Sequence, residues 1–285
     1  MKRPGSFETS ADCWPGLFPD GNGGGGPSPH MAQAELARLS RTIEGEIIPR
    51  LMLAFDSGAA TDTPQDMAAV DTVDEFVRLL LAHDASVATR FVNQLRAGGT
   101  PLPVIYLELL APAARRLGQL WEEDYCSFTD VTVGVCRMHQ VLLAFSPCFR
   151  AATADDGDKN KTAMFLPVPG EQHTFGLFMV VEFFRRAGWN VWSGAPSAVD
   201  EVRALVRAQY FAVVGFSLSA ERHLGRLTEC IADLRRCSAN AEVRVLVGGR
   251  LFIDQPGLIA EVGADAAARD GQDAVRLAGN LRLRS

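Results

Sequence analysis

The sequence predicts a helical half followed by a doubly wound parallel α/β half. Three observations carry this. From Met31 to about residue 150, apolar residues recur every three or four positions, the period of helices with one buried face. From Thr162 onward, short apolar runs of strand length alternate with longer helical stretches, as in a parallel sheet covered on both faces. Between them, residues 151–161 are polar and carry no apolar period. The expected organisation is an N-terminal extension at 1–30, a bundle of four or five helices at 31–150, a linker at 151–161 and a five-stranded α/β domain at 162–285.

Composition bounds what such a chain can do. Its 285 residues are enough for two separate cores. Hydrophobic content of 47% and charged content of 22% are ordinary for a globular protein. No apolar run approaches the roughly 20 residues of a membrane helix. The first residues lack a basic-then-apolar leader, so no membrane and a cytoplasmic home are expected. The six cysteines form no Cys-x-x-Cys pair and read as reduced and mostly buried. A net charge of −6 argues against a nucleic-acid surface spread over the whole protein.

Residues 1–30 lack apolar periodicity and hold Gly21-Asn22-Gly23-Gly24-Gly25-Gly26-Pro27. No strand precedes these glycines, so they read as flexible linker and not as a dinucleotide loop. Phe7, Trp14, Leu17 and Phe18 could form a short docking segment, though a disordered tail fits the stretch better, and Met31 could be a second translation start. The first helix carries Leu36, Leu39, Ile43, Ile47, Leu51 and Phe55, with Pro49 as a kink. Residues 57–70 read as a polar loop. Thr72-Val73-Asp74-Glu75 reads as a capping box opening a second helix. Asp84 is placed to cap a third, and Gly98-Gly99 to end it. A fourth is expected from Leu102 to Trp121 and a fifth from near Asp130.

The α/β half reads as strand one at 162–168 and its helix at 175–187. Strand two begins at Trp189–Trp192, and a helix follows at Asp200–Gln209. Strand three covers Tyr210–Phe216, with a helix from about Glu221 to Arg236. Strand four covers Val243–Val247. A helix near Leu258, a strand at Ala264–Ala268 and a helix from Gln272 complete a sheet of flavodoxin or Rossmann type.

The chemistry concentrates in Gly170-Glu171-Gln172-His173-Thr174-Phe175-Gly176, a tight loop between strand one and its helix. In open α/β sheets such loops lie at the carboxyl ends of the strands, where ligands bind. An imidazole there can ligate a metal through one nitrogen, while an acid two residues earlier takes the proton of the other and fixes the tautomer. Gly176 lets a large group approach the backbone. Strand three ends in Ser217-Leu218-Ser219 and strand four in Gly248-Gly249, small residues at the same edge.

The Glu171-x-His173-x-x-Gly176 spacing resembles the Asp-x-His-x-x-Gly signature of cobalamin-binding domains, with Glu in the Asp place. In that family the histidine replaces the cofactor's own base on the lower face of cobalt. The resemblance extends to Ser217, Ser219, Gly248 and Gly249, which would line a slot for the displaced nucleotide tail, with Ser219 where Leu is usual. Thr174 belongs to the same loop. Gly118-Gln119-Leu120-Trp121-Glu122 is similar to the cap of light-sensing cobalamin regulators, in which a Trp sits above the corrin. Val131 and Thr132 stand where those regulators carry an acid and a histidine.

Three segments, Ala111 to Glu122, Pro169 to Gly176 and Phe183 to Trp189, resemble the AerR/PpaA family of cobalamin-binding antirepressors of photosynthesis genes. The resemblance implies adenosyl-, methyl- or hydroxocobalamin as cofactor and His173 as the ligand to cobalt. It implies no enzymatic activity, a light response, and a repressor of the CrtJ/PpsR type as partner, with direct DNA binding not expected of the chain alone. A corrinoid carrier subunit of a methyltransferase or mutase, and a haem sensor on the same scaffold, are the alternatives. Cys136 and His139 stand three apart on one helix as half a metal site or as core and groove positions. His139 could also reach the upper face of the corrin. His83 and His223 read as surface or helix-end residues, and Arg185, Arg186, Arg235 and Arg236 as solvated helix ends.

Overall fold

The computed structural model describes residues 64–151, 158, 160–194 and 199–282, all within one compact unit, Pro49–Ser285. The extension at 1–30, Met31 and the helix expected at 36–55 lie outside the described residues.

Four helical rods make the N-terminal half among the described residues. The first, α1, spans Pro64–Ala82. It begins inside the stretch expected as a polar loop, so Thr72–Glu75 lies within the helix and does not open it. Pro64 explains the earlier start: its fixed φ suits a first helical turn, where a missing N–H costs no bond. Helix α2, Ala85–Ala97, is capped as expected by Asp84, whose carboxylate accepts from the Ser86 N–H at 2.8 Å.

The third rod, α3, runs through Leu102–Val104, a π-helical turn at Ile105–Leu110, and Ala111–Glu122. Its widened turn has a local cause. Pro112 has no N–H to offer the carbonyl of Glu108 and its ring crowds that group. The chain loosens by one residue, and the Ala111 N–H reaches the Tyr106 carbonyl instead. Helix α4, Phe128–Arg150, opens with a capping box between Ser127 and Asp130. Arg137 of α4 donates to the carbonyls of Leu80 and Leu81, groups that the end of α1 leaves without intrahelical partners.

The C-terminal half alternates β1 (Thr162–Pro167), α5 (Phe175–Arg186), β2 (Asn190–Ser193), α6 (Val199–Ala208), β3 (Val213–Ser217), α7 (Leu224–Cys237), β4 (Arg244–Gly248), short α8 (Arg250–Asp254) and α9 (Gly257–Glu261), β5 (Ala266–Ala268) and α10 (Gly271–Arg282). All pairs are parallel, in the order β2-β1-β3-β4-β5. This is the doubly wound topology expected, with its switch point between β1 and β3. A single 3₁₀ turn at Glu221–His223 precedes α7.

The three central strands, β1, β3 and β4, bury both faces, while the edge strands β2 and β5 are only partly covered. Met164, Leu166, Val214, Phe216, Val245 and Val247 meet α6 and α7. Ala163, Phe165, Val213 and Leu246 point to the other side, towards α5 and α10. Gly215 must lack a side chain, because a Cβ there would lie 2.3 Å from the Phe165 ring. Among the described cysteines only Cys230 is buried, and Cys136 and Cys148 are exposed, so the thiols are less enclosed than expected. A cysteine on the outer face of a bundle helix needs no core position to stay reduced.

Helix α5 is the element the two halves share. Its Leu177, Val181 and Phe184 join the sheet core. Its Phe175, Met179 and Phe183 join the bundle core. Phe149 stacks on Tyr106 at 4.3 Å and meets Phe183 edge-on at 5.1 Å. Glu182, nearly inaccessible, accepts from Ser146 and twice from Arg150, both on α4, and from Arg185 on its own helix. A carboxylate so placed is held by its partners and is costly to strand.

Replacing Glu182 with Ala should lower stability by about 2–3 kcal/mol, since it strips Ser146 and Arg150 of their shared acceptor. Glu182→Gln should cost less because an acceptor oxygen remains. Urea unfolding midpoints of the two variants check this, and a loss below about 0.5 kcal/mol for Ala would show that the cluster does not hold α4 to α5.

Candidate functional site

The sheet register sets the frame. Pro167 of β1 stands beside Ser217 of β3, Ser217 beside Gly248 of β4, and Gly248 beside Ala268 of β5. These positions form one row at the carboxyl edge of the sheet. Two backbone bonds extend it, Val168 N–H to the Ser217 carbonyl at 3.1 Å and Leu218 N–H to the Gly248 carbonyl at 3.0 Å. The three loops singled out in the sequence therefore leave the sheet side by side.

Glu171 ties them together. Its Oε1 accepts from His173 Nδ1 at 2.7 Å, from the His173 N–H at 3.0 Å and from the Gln172 N–H at 2.9 Å. Its Oε2 accepts from the Ser219 N–H at 2.8 Å and the Ala220 N–H at 3.3 Å. One carboxylate thus spans the switch point between β1 and β3. Burial works against its charge, but the donors from His173 and Ser219 outweigh burial and hold its pKa down at about 2. Because the carboxylate only accepts, Nδ1 of His173 carries the proton, and Nε2 is the lone-pair nitrogen suited to a metal. The His173 side chain is 27% exposed, so the ring is not sealed in.

The neighbouring small residues differ in what they provide. Gly249, at φ 117°, is demanded by the backbone: a Cβ would lie 2.0 Å from the Leu218 carbonyl oxygen. Gly176 faces open space, with nothing within 4 Å of a Cβ built on it. Thr174 stands at the N-cap of α5 but makes no side-chain cap bond. The hydroxyls of Ser217 and Ser219 make no hydrogen bond among the described residues, and both side chains are half-buried.

His223, read from the sequence as a surface or helix-end residue, and Arg226, which the sequence did not single out, support this loop. His223, at the start of α7, turns its ring beneath Gly170, where an added Cβ would meet His223 Cε1 at 3.2 Å and an Arg226 nitrogen at 2.9 Å. Arg226 donates to the Pro169 carbonyl at 3.1 Å. Burial, then the Arg222 charge, push the His223 pKa down. The positive φ of Gly170, 92°, is the trace such packing leaves. Glycine in a turn is too common for the sequence alone to disclose this packing.

The bundle reaches over the same edge. His139 of α4 meets Phe175 and Phe178 at the start of α5, Ser146 and Arg150 meet Glu182, and Arg186 donates to the Phe149 carbonyl. Positions rise together along both helices, so α4 and α5 run parallel. The part of α4 before His139, from Phe128, is about 16 Å long and continues past the start of α5. It overhangs the carboxyl edge of the sheet. Trp121, half-buried in the last turn of α3, lies at this overhanging end, joined to α4 by the short connection Glu123–Ser127. No ring contact or hydrogen bond among the described residues links the Trp121 side chain to the Glu171–His173 pair. Val131 packs partly into the bundle core, and the Thr132 hydroxyl donates to the Phe128 carbonyl at 2.8 Å.

Residues 161–278 match a family model described as "B12 binding domain", and residues 72–142 match a second model of the same description. Both halves of the chain thus match cobalamin-binding domains, and cobalamin binding is the class they assign to it. The resemblance to the AerR/PpaA family read from the sequence holds in these comparisons. The chain is 24% identical over 181 residues to an "uncharacterized 20.5 kDa protein in bchF-crtJ intergenic region" of Rhodobacter capsulatus, covering 62% of this chain and 92% of that one. It is 21% identical over 220 residues to monomethylamine corrinoid protein 1 of Methanosarcina mazei, covering 75% and 99%. The structure of the Methanosarcina barkeri monomethylamine corrinoid protein shares the fold, with a TM-score of 0.61 at 16% identity over 75% of this chain and 99% of that one.

The residues present fit such a cofactor. His173, held by Glu171 through Nδ1 and partly exposed, offers one imidazole nitrogen, the kind of donor that suits a metal arriving with its other ligands, as cobalt does in a corrin ring. No helix among the described residues is long and apolar enough to cross a membrane.

Glu171 gives a pH signature to check. Its folded pKa of about 2 lies below the ordinary 4.5, so its ionisation stabilises the fold above the ordinary value, and that contribution is lost as pH falls from about 4.5 towards 2. The cofactor-free protein should lose on the order of 3 kcal/mol across this window from Glu171. Glu171→Gln should be less stable at pH 7 and show a flatter acid limb in urea titrations. An unchanged acid limb would contradict the depressed pKa.

Proposed function

We propose that the protein is a cobalamin-dependent, light-responsive regulator, acting without catalysis as an antirepressor of photosynthesis genes through a repressor of the CrtJ/PpsR type. The observation that carries the ligand assignment is the His173 imidazole, held by Glu171 through Nδ1 at the switch point. In this reading His173 is the lower ligand to cobalt and Glu171 its orienting partner. Thr174, Gly176, Ser217, Ser219, Gly248 and Gly249 line the path of the displaced nucleotide tail, where open space at Gly176 and unengaged hydroxyls favour it. Trp121 caps the upper face. The regulatory role is supported by similarity to the Rhodobacter capsulatus protein, whose own name places it beside crtJ.

The cofactor would supply one piece of chemistry, a cobalt–alkyl bond that light breaks. The protein's part is to register the change at the overhanging end of the bundle, where Trp121, Val131 and Thr132 lie. Two arrangements of the bundle, biased by the bound form, would then differ in affinity for the repressor. The output is read as a protein contact made in the cytoplasm. The net charge of −6 disfavours phosphate, and Arg116, Arg203, Arg235 and Arg236 already face carboxylates. Similarity to a corrinoid protein named for monomethylamine favours a second reading, a carrier subunit that delivers its cofactor to a catalytic partner.

His173→Ala should lose cobalamin, or hold it with the cofactor's own base still attached, which the visible spectrum distinguishes. An unchanged spectrum and affinity would remove His173 from the site. Repressor titrated with and without cobalamin should show a change in affinity of roughly 5–150-fold, and the repressor should change cobalamin affinity by the same factor. No repressor contact in either state, or tight sequence-selective DNA binding by this chain alone, would defeat the antirepressor reading. Methyl transfer with a partner enzyme would favour the carrier.

A further inference from the structure

We propose that His139 is a second cofactor-binding residue, accepting a hydrogen bond from a primary amide N–H on the rim of the bound corrin. The proposal rests on the cobalamin reading above and adds a contact from the helical half.

Its starting point is an unfinished hydrogen-bond account. His139 Nδ1 lies 3.0 Å from the Val135 carbonyl oxygen, which can only accept, so Nδ1 carries the ring proton. Nε2 is then a lone-pair acceptor, and it is buried with no partner. Buried polar nitrogens are almost always satisfied, and those that are not call for an explanation. None of the described residues donates to it. Phe175 and Phe178 stand edge-on to the imidazole at 4.9 Å each, and the adjacent Val135 and Met138 side chains are apolar. Burial also pushes the His139 pKa down, so the ring stays neutral and its lone pair stays available. A leucine or phenylalanine would fill the same space with no unmet acceptor.

Position says which ligand would complete it. His139 is where α4 parts from α5 and begins its overhang. It is level with Phe175, two residues beyond His173. A flat ligand held on the His173 side of that overhang would bring its edge towards this point, and because Nε2 is closed off from solvent the contact requires the half-buried Phe178 ring beside it to turn aside. Cobalamin has a flat ring whose edge carries primary amides, each with two N–H donors. An apolar corner with one neutral acceptor suits such an edge better than it suits water, which would need further partners.

The test uses the full chain and His139→Leu and His139→Gln, with hydroxocobalamin titrated by visible absorption. Melting is followed with and without the cofactor. The expected result for Leu is binding about threefold to tenfold weaker, with the cofactor-free protein at least as stable as the parent. Gln, which keeps an acceptor, should recover most of the affinity. The loaded spectrum of both variants should match the parent, because His173 is untouched. Unchanged affinity in the Leu variant would overturn the proposal, as would loss of stability or failure to fold without cofactor, which would make His139 a packing residue. A shifted cobalt spectrum would also overturn it, making His139 a ligand to the metal. The parent and His173→Ala are run beside them: absence of binding by the parent would strike the cobalamin reading itself, whereas parental binding with an indifferent His139→Leu strikes only this contact.

Discussion

The site depends on one carboxylate with five N–H neighbours. Glu171 gathers two donors from His173, one from Gln172 and two from the loop after β3. No single strand or helix could hold a partly exposed imidazole in one tautomer and one direction at a loop. The acid does so by bonding to both sides of the switch point at once. A glutamate has one more methylene than the aspartate of the usual signature. Here that length is used: the second oxygen reaches the Ser219 and Ala220 amides while the first stays on the histidine. The departure from the signature is therefore accommodated across the sheet edge, in the same loop where Ser219 stands in place of the usual Leu.

The second dependence is mechanical. Helix α5 belongs to two cores, and the polar cluster at Glu182 anchors α4 to it in a region otherwise aromatic. Apolar packing alone tolerates sliding of one helix along another. A carboxylate that accepts from Ser146 and Arg150 sets a register. The overhang of α4, and with it the place of Trp121, follows from that register and from the length of the helix before His139.

How much of this could be read from the chain depends on the range of each interaction. Strands at 162–167 and 244–248 were legible because both faces are buried and the runs are continuously apolar. The Glu171–His173 loop was legible because acid, imidazole and glycine are close in sequence. The Asp84 cap was legible for the same reason. What escaped lay either in competition between local signals or in tertiary contact. Thr72–Glu75 has the residues of a capping box, yet Pro64 starts the helix earlier. The π-helical turn follows from Pro112, but nothing in the sequence says whether a proline will break, kink or widen a helix. The Ser219 and Ala220 amides are anonymous in sequence, since every residue but proline has one. His223 and His139 gain their roles only from what packs on them, Gly170 in one case and two phenylalanines in the other.

The parallel course of α4 and α5 has a consequence in leverage. If the Ser146–Glu182 contact is the fulcrum, the arm from it to Phe128 is about 27 Å long. A rotation of about 2° there carries the free end about 1 Å, comparable to the small helix shifts that interfaces amplify. Along that arm Val131, Val135, Met138, Val141 and Leu142 pack into the bundle core, and Arg137 holds the end of α1. A displacement at the far end therefore carries the surrounding bundle with it and reaches the Glu182 cluster as the movement of a packed body, not of a single helix.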